Sequence, residues 1–309
     1  MAVTVRLLLS RVKPFRPDLP DEYAMHGLRT AMAQIATRAF VITKTDPLAV
    51  VEKATYSTDC KNTGNLRTVR IESVYGLSTY SIRTQNGIQN EMVYDGNWNP
   101  ITKVPWVEAP PYPDENVGHF YIANAPGTWQ DVLNGGPSNT FIIGDILFSN
   151  GTYWTKYIPY PSESTSNSID GFQLIEQTNK PSYEWGRANP QSGRSFLPLG
   201  WYQQDGMVNW IMPPKESLII RVTRCIDYGT ASDLDMDTIE IPSDIESVMT
   251  DGALSYIYGI PGEHQDKNLA EAKRRQFEAG IASLRAMAIF GQGGSPRMQY
   301  RNFAGRRTF

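Results

Sequence analysis

The sequence predicts an α+β protein: a helical bundle built from both chain ends, with a large inserted antiparallel β region. Three observations carry that expectation. Apolar residues recur at helical spacing over about 19–40, and again over 243–260 and 266–290. Between these stretches, from about 50 to 237, tight-turn pairs separate short segments that alternate or are rich in β-branched residues. The 309 residues also include 25 Gly, 21 Pro, 16 Tyr and 7 Trp, a balance that suits strands and turns. That length is enough for one large domain or two ordinary ones.

The first helix is expected from about Leu19 to Phe40. Pro20 suits its first turn, and Asp21 and Glu22 complement the positive helix start. Ala24, Leu28, Ala31, Met32, Ile35 and Ala39 fall on one face. Asp46-Pro47 ends the segment, so residues 1–48 read as an N-terminal arm and first helix. Before it, "MAVTVRLLLSRVKPF" carries one short apolar cluster and lacks the form of a signal peptide.

Residues 49–236 read as the β-rich region, of which about 88–180 reads as an insertion. Strand signals lie in 67–75 and 78–84. Asn86-Gly87, Asp95-Gly96, Asn150-Gly151 and Asp205-Gly206 supply the positive φ angles of two-residue hairpins. Residues 145–157 and 201–213 are hairpin candidates, and 216–226 reads as a buried strand. The Pro- and Gly-rich stretches 105–118 and 159–171 read as loops.

Helices return over 237–290. Ser243 and Glu246 have capping-box spacing. Ile245, Val248, Met249, Gly252, Ala253, Tyr256, Ile257 and Ile260 then form an uncharged stripe, in which Gly252 permits close helix packing. Pro261-Gly262 breaks that helix. The next has Leu269, Phe277, Gly280, Ile281, Leu284 and Ala288 on one face, interrupted by Lys273. Leu28, Met32, Ile35, Ile245, Met249, Ile257, Phe277, Ile281 and Leu284 are the expected core of the three helices.

Composition excludes several classes of function. Net charge is −3, from 29 basic and 32 acidic residues. Four arginines lie in 291–309, so the rest carries 25 against 32, which does not suit a general nucleic-acid binder. Cys60 and Cys225 stand too far apart in sequence to suggest a disulfide framework, and His26, His119 and His264 lack metal-ligand spacing. No apolar run is long enough to span a membrane. No nucleophile, P-loop, dinucleotide or metalloprotease motif occurs, so neither an enzyme nor a bound cofactor is expected. The acidic run 233–244 lacks the glycine and final glutamate of a calcium loop. The seven tryptophans all lie in the β-rich region, and serve either its core and interfaces or a sugar-binding platform.

The last segment, 291–309, is basic and aromatic. Gly291, Gly293 and Gly294 loosen its start. It is either a solvated tail or a segment that orders on a partner, with Arg297, Tyr300, Arg301, Phe303, Arg306, Arg307 and Phe309 as anchors.

Three stretches resemble the head–tail adaptor (connector) proteins of tailed bacteriophages. "VKPFRPDLPDEYAMHGLRTAMAQIATRAFVIT" (12–43) is similar to the family's entry helix. "SLIIRVTRCIDYGTASDLDMDTIEIPSDIESVMTDGALSYIYGI" (217–260) resembles its strand, acidic linker and helix with a central Gly-Ala. "DKNLAEAKRRQFEAGIASLRAMA" (266–288) resembles its closing helix. The likeness covers roughly the first 85 and last 130 residues and breaks at about 90–180. It implies a structural virion protein, assembled in the host cytoplasm and located in the neck between head and tail. It implies a homo-oligomeric, dodecameric ring on the portal protein, a downstream tail or nozzle protein, and viral dsDNA passing through without sequence-specific binding. The 291–309 segment is then a strap that docks on the portal. Two other readings stand beside this one: a receptor- or glycan-facing β-rich virion module, and a soluble enzyme with an unrecognised site.

Overall fold

The computed structural model describes residues 2–55, 57–59, 67–106, 110–158, 168–169, 172–178, 197–198, 200–204, 206–211, 213–227, 240–262 and 264–290. In chain order the elements are β1 (Ala2–Thr4), α1 (Val5–Val12), a 3-10 turn (Lys13–Phe15), α2 (Asp21–Ala39), β2 (Thr43–Thr45), β3 (Ala49–Val51), β4 (Ser57–Asp59) and β5 (Arg67–Ser78). There follow α3 (Thr79–Gln85), β6 (Val93–Trp98), β7 (His119–Ala123), β8 (Gly127–Gln130), β9 (Ser138–Phe141), β10 (Ile146–Ser149), β11 (Trp154–Lys156), β12 (Ser168–Ile169) and β13 (Phe172–Ile175). The chain closes with β14 (Trp201–Gln204), β15 (Met207–Trp210), β16 (Leu218–Asp227), β17 (Glu240–Pro242), α4 (Ser243–Gly259) and α5 (Lys267–Phe290). They form two compact units. One comprises residues 1–44, 61–70 and 225–309, the other 45–60 and 71–224.

In the first unit, α1 starts where the Thr4 hydroxyl accepts the Leu7 N–H, 3.4 Å away. Its buried face is Val5, Leu8 and Val12. α2 begins after Pro20 and ends at Phe40, which takes the left-handed conformation at φ 57°. The apolar faces of α1, α2, α4 and α5 share one core. Small residues set how closely they approach. A Cβ added to Gly252 would lie 2.7 Å from the Ala31 Cβ and 2.7 Å from the Phe277 ring, and one on Gly280 would lie 2.7 Å from Val248. Arg16 is 1% exposed. Its guanidinium pairs with Asp18 at 2.9 Å and donates to the carbonyls of Ile257 (3.0 Å) and Ile260 (3.4 Å), satisfying orphan acceptors where α4 ends. Lys273, which interrupts the α5 stripe, reaches Asp251 at 2.8 Å. Glu246 pairs with Arg11 of α1. β1 and β17 pair antiparallel, Ala2 opposite Pro242.

The second unit holds most of the sheet structure. The largest sheet runs β12-β13-β5-β16-β2, with β3 also on β16. A four-stranded sheet runs β11-β10-β7-β6, a three-stranded one β14-β15-β4, and β8 pairs with β9. The Asn150-Gly151 turn joins β10 to β11. The Asn150 side chain accepts the N–H groups of Thr152 and Tyr153, both at 2.9 Å, and Gly151 has φ 91°. β14 and β15 pair antiparallel, and Gly206 between them has φ 76°. Arg224, 1% exposed at its side chain, holds Asp46 through two contacts of 2.8 and 3.0 Å.

Four expectations need correction. The fold is not a helical bundle from both chain ends with one antiparallel β insertion. It is a strand-rich mixed α/β fold in several sheets, with two of its three long helices in the C-terminal part of the chain. Strands also enter the unit that holds the helices, and β6 pairs with β7 in parallel. Asp95-Gly96 accordingly joins no hairpin: it lies within β6 at a shift of register, with Gly96 at φ 110°. The other two corrections are local. Asn86-Gly87 joins no hairpin: Asn86 caps the end of α3, and Gly87 after it has φ 68°. Of residues 78–84 only Ser78 is in a strand, as the end of β5, because 79–85 are α3. The Ser78 hydroxyl accepts the Tyr80 N–H at 3.2 Å, Ile82 is buried, and Arg83 makes a two-pronged pair with Glu216. Capping and tertiary contacts override a β-branched pattern over so short a run.

Candidate functional site

The described tryptophans of the second unit are interior. Trp98 and Trp154 are 0% exposed, and Trp106, Trp129, Trp201 and Trp210 are also buried, while Trp185 lies outside the described residues. Trp98, Trp106, Trp129, Trp154, Tyr121 and Phe141 form one aromatic core. Trp98 meets Phe141 edge-on at 5.0 Å and Trp129 edge-on at 5.4 Å, while Trp106 meets Tyr121 at 5.5 Å and 90°. This is ring-on-ring packing with no open stacking face for a sugar. Burial pushes the Tyr121 hydroxyl up from its usual range, with the Trp106 indole N–H pulling weakly the other way at a geometry short of a hydrogen bond.

Around this core the chain turns sharply, and side-chain acceptors fix each turn. Asn99 accepts the N–H groups of Ile101 (2.9 Å) and Thr102 (3.0 Å). Asp145 accepts Ile142 N–H at 2.7 Å and pairs with Lys156 at 2.5 Å. These turns leave Ile101, Val104, Ile142 and Ile143 exposed. A Cβ on Gly127 would sit 3.0 Å from the Ile101 side chain.

Two further loops are tied to one residue, Trp154. Its backbone N–H donates to the Asp131 carboxylate at 3.0 Å, and its indole N–H donates to the Pro111 carbonyl at 2.8 Å. Asp131 is 1% exposed, and the Asn134 amide donates to both its oxygens at 3.0 Å. Gly136 N–H donates to the Asp131 carbonyl at 2.8 Å, and the Gln130 amide donates to the Gly136 carbonyl at 2.9 Å. The buried Ser149 hydroxyl holds Pro113 at 2.7 Å, and Asn116 holds the Tyr112 carbonyl at 2.7 Å. The backbone on both sides of Tyr112 is therefore fixed, while its side chain is 72% exposed. Val132 and Leu133, carried by the neighbouring loop, are 75% exposed each.

Leu28, Met32, Ile35, Ile245, Met249, Ile257, Phe277, Ile281 and Leu284 all lie in the core of the first unit. Arg297, Tyr300, Arg301, Phe303, Arg306, Arg307 and Phe309 lie outside the described residues. So does Cys60, while Cys225 is buried, its thiol 3.2 Å from the Phe40 carbonyl. Among the described residues no group of three or more His, Cys, Asp or Glu side chains could hold a metal ion, and no helix is long and apolar enough to cross a membrane. Sequence reasoning passed over Arg16, Asp131 and the Tyr112 loop. The available signals were the turn chemistry of "DVLNGG" (131–136) and the three prolines of "PPYPDEN" (110–116).

No protein-family model matches the chain, and no curated protein matches it.

Proposed function

We propose that the chain is a structural virion protein of the head–tail adaptor kind. In this reading its copies form a ring in the phage neck, between the portal of the head and the tail, and dsDNA passes through. One observation supports it above the others. The three stretches that resemble the adaptor family fall, apart from 217–224, in one compact unit. They meet at the Gly252-Ala253 step of α4: Gly252 stands against Ala31 of α2 and Phe277 of α5, and Gly27 of α2 stands against Ala253. A resemblance spread over three separate stretches thus has a common physical centre. The deficit of basic residues outside 291–309 suits a channel that DNA slides through.

The test is to mix the purified chain with portal rings and image the mixture by negative stain. The expected result is a second ring on one face of the portal. A chain ending at Gly291, mixed with portal rings and no DNA, separates the strap from the ring body. Loss of assembly is expected, and assembly equal to that of the full chain overturns the strap. Docking depends on Tyr300, Phe303 and Phe309 as well as on the arginines, whereas a contact to DNA phosphate depends on charge and salt alone.

A further inference from the structure

Asn86, Asn134 and Asn150 each stand directly before a glycine. Such a pair carries a latent reaction. Glycine has no side chain to shield its nitrogen, so that nitrogen can close a ring on Cγ of the preceding asparagine. The three sites differ in the direction in which the amide is held. Asn86 Nδ2 donates to the Ile82 carbonyl at 2.7 Å, back along α3. Asn134 Nδ2 donates to both oxygens of the buried Asp131 carboxylate at 3.0 Å, again back along the chain. Both amides are thus turned away from the glycine that follows, and the Gly87 N–H is itself engaged, by the Thr84 carbonyl at 3.4 Å. Asn150 is held the other way. Its Oδ1 accepts the N–H groups of Thr152 and Tyr153, at 2.9 Å each, so the side chain folds forward over Gly151. Its Nδ2 makes no hydrogen bond to a described residue. The Gly151 N–H lies outside the strand ladder and donates to the Ser149 hydroxyl through a long contact of 3.2 Å.

We propose that Asn150 is a site of spontaneous covalent modification, at which the folded chain converts asparagine to aspartate and isoaspartate with water as the co-reactant. Gly151 N attacks Asn150 Cγ. The N–Cγ bond forms, the Gly151 N–H proton passes through solvent to Nδ2, and the Cγ–Nδ2 bond breaks with loss of ammonia. Water then opens the cyclic imide. Breaking the new bond to Cγ leaves aspartate in the ordinary backbone. Breaking the bond to the Asn150 main-chain carbonyl carbon leaves isoaspartate, with the chain running through the side chain. Negative charge develops on Oδ1 during the attack, and the Thr152 and Tyr153 N–H groups already point at that atom, so nothing has to reorganise to stabilise it. At Asn134 the Asp131 carboxylate beside the amide opposes the same charge. The isoaspartate product adds a methylene to the backbone between Ser149 and Gly151. Ser149 pairs with Trp154 at the end of the β10–β11 ladder, and Trp154 holds both Asp131 and Pro111. The modification therefore acts on the anchor of two loops.

The experiment incubates the full chain, folded, in mildly alkaline buffer and follows Asn86, Asn134 and Asn150 by peptide mass spectrometry, with enzymatic methyl labelling to count isoaspartate. The same chain unfolded in urea is the control, because there only local sequence acts and the three asparagines share the same following residue. Comparable rates at the three sites are expected in urea. In the folded chain Asn150 is expected to react about tenfold faster or more than either of the others, the ratio that one net hydrogen bond to a developing charge supports. Equal rates in the folded chain, or slower reaction at Asn150 than at Asn86 or Asn134, overturn the proposal. So does the same ranking in urea as in the folded chain, since the hydrogen bonds at Thr152 and Tyr153 would then not be its source. Chains that carry isoaspartate at position 150, separated by chromatography, are expected to exchange the Trp154 amide hydrogen about tenfold faster or more than unmodified chains. Unchanged exchange there overturns the effect on the two loops.

Discussion

The helical core of the first unit and the aromatic core around Trp98 and Trp154 solve the same burial problem in opposite ways. The first uses small residues at the contacts: Gly27, Ala31, Gly252, Ala253 and Gly280 let helix backbones approach, and Phe277 fills the remaining space. The second uses large rings on short strands, where β8 and β11 have only four and three residues. Short strands offer few ladder bonds, so side-chain acceptors such as Asp131, Asn99 and Asp145 supply the hold on the turns. The difference teaches where each region is intolerant. The helical core is intolerant of added volume, and the aromatic core is intolerant of lost polar anchors.

The largest effects come from emptying either core. Phe277→Ala and Trp154→Ala are each expected to cost about 3–5 kcal/mol, read from denaturant melts of the full chain. Trp154→Ala also frees the Pro111 loop, so protease sensitivity near 110–116 is expected to rise in that variant and not in Phe277→Ala. Equal sensitivity in both would dissolve the contrast.

Adding a methyl group sharpens the comparison from the other side. At Gly252 it meets Ala31 and Phe277 at 2.7 Å, with no flexible chain end to yield, and Gly252→Ala is expected to destabilise by about 1–3 kcal/mol. Gly259, in the last turn of the same helix, has nothing within 4 Å of an added Cβ. Gly259→Ala is expected to stabilise by about 0.4–1 kcal/mol, because it restricts the unfolded chain. Opposite signs on one helix would show that packing governs the first site and propensity the second; equal signs would refute this.

Helix periodicity made the three long helices legible in the sequence, together with the role of Gly252, because burial on one face of a helix leaves a trace every three to four residues. α1 left a trace too weak to read: Val5, Leu8 and Val12 have the spacing, but eight residues hold little more than two turns. Tight-turn pairs revealed the hairpin at Asn150-Gly151 and the one between β14 and β15, and misled at Asn86-Gly87 and Asp95-Gly96, since a positive φ serves a helix end or a register shift as well as a hairpin turn. The anchoring of the Tyr112 loop was not legible at all. Whether a loop tyrosine is pinned or loose depends on Ser149 and Trp154, residues some forty positions away.

Losing a polar anchor is expected to cost less than emptying a core. Asp131→Ala removes the acceptor of the buried Trp154 N–H and of the Asn134 amide, and is expected to cost about 1–3 kcal/mol, the penalty of leaving a buried donor unmet. Hydrogen exchange should quicken at Trp154 and across 131–136 while the first unit keeps its protection. Unchanged exchange at Trp154 would show that the carboxylate does not hold the loop.

The smallest effect is a dependence on pH, and it belongs to the first unit. Hydrogen bonds from Arg16 hold the Asp18 carboxyl below its usual range, those from Arg274 and Arg275 do the same for Glu271, and those from Arg38 for Glu278. A carboxyl whose folded pKa lies below its unfolded value binds fewer protons when folded. Its contribution is therefore complete above the unfolded value, about 4, and disappears as pH falls through the folded one. The pairs at Glu271 and Glu278 are solvent-exposed, so screening leaves each of them little. Asp18 differs because its partner Arg16 is almost wholly buried and also holds the end of α4. Melting temperature is accordingly expected to hold between about pH 5 and 8 and to fall below about pH 4. Asp18→Asn should lower the plateau and flatten the acid fall, because it removes the titrating group and leaves the buried guanidinium without its counter-charge. Glu278→Gln should leave the curve nearly unchanged. If Asp18→Asn and Glu278→Gln gave the same curve, the buried arginine would not be the source of the difference.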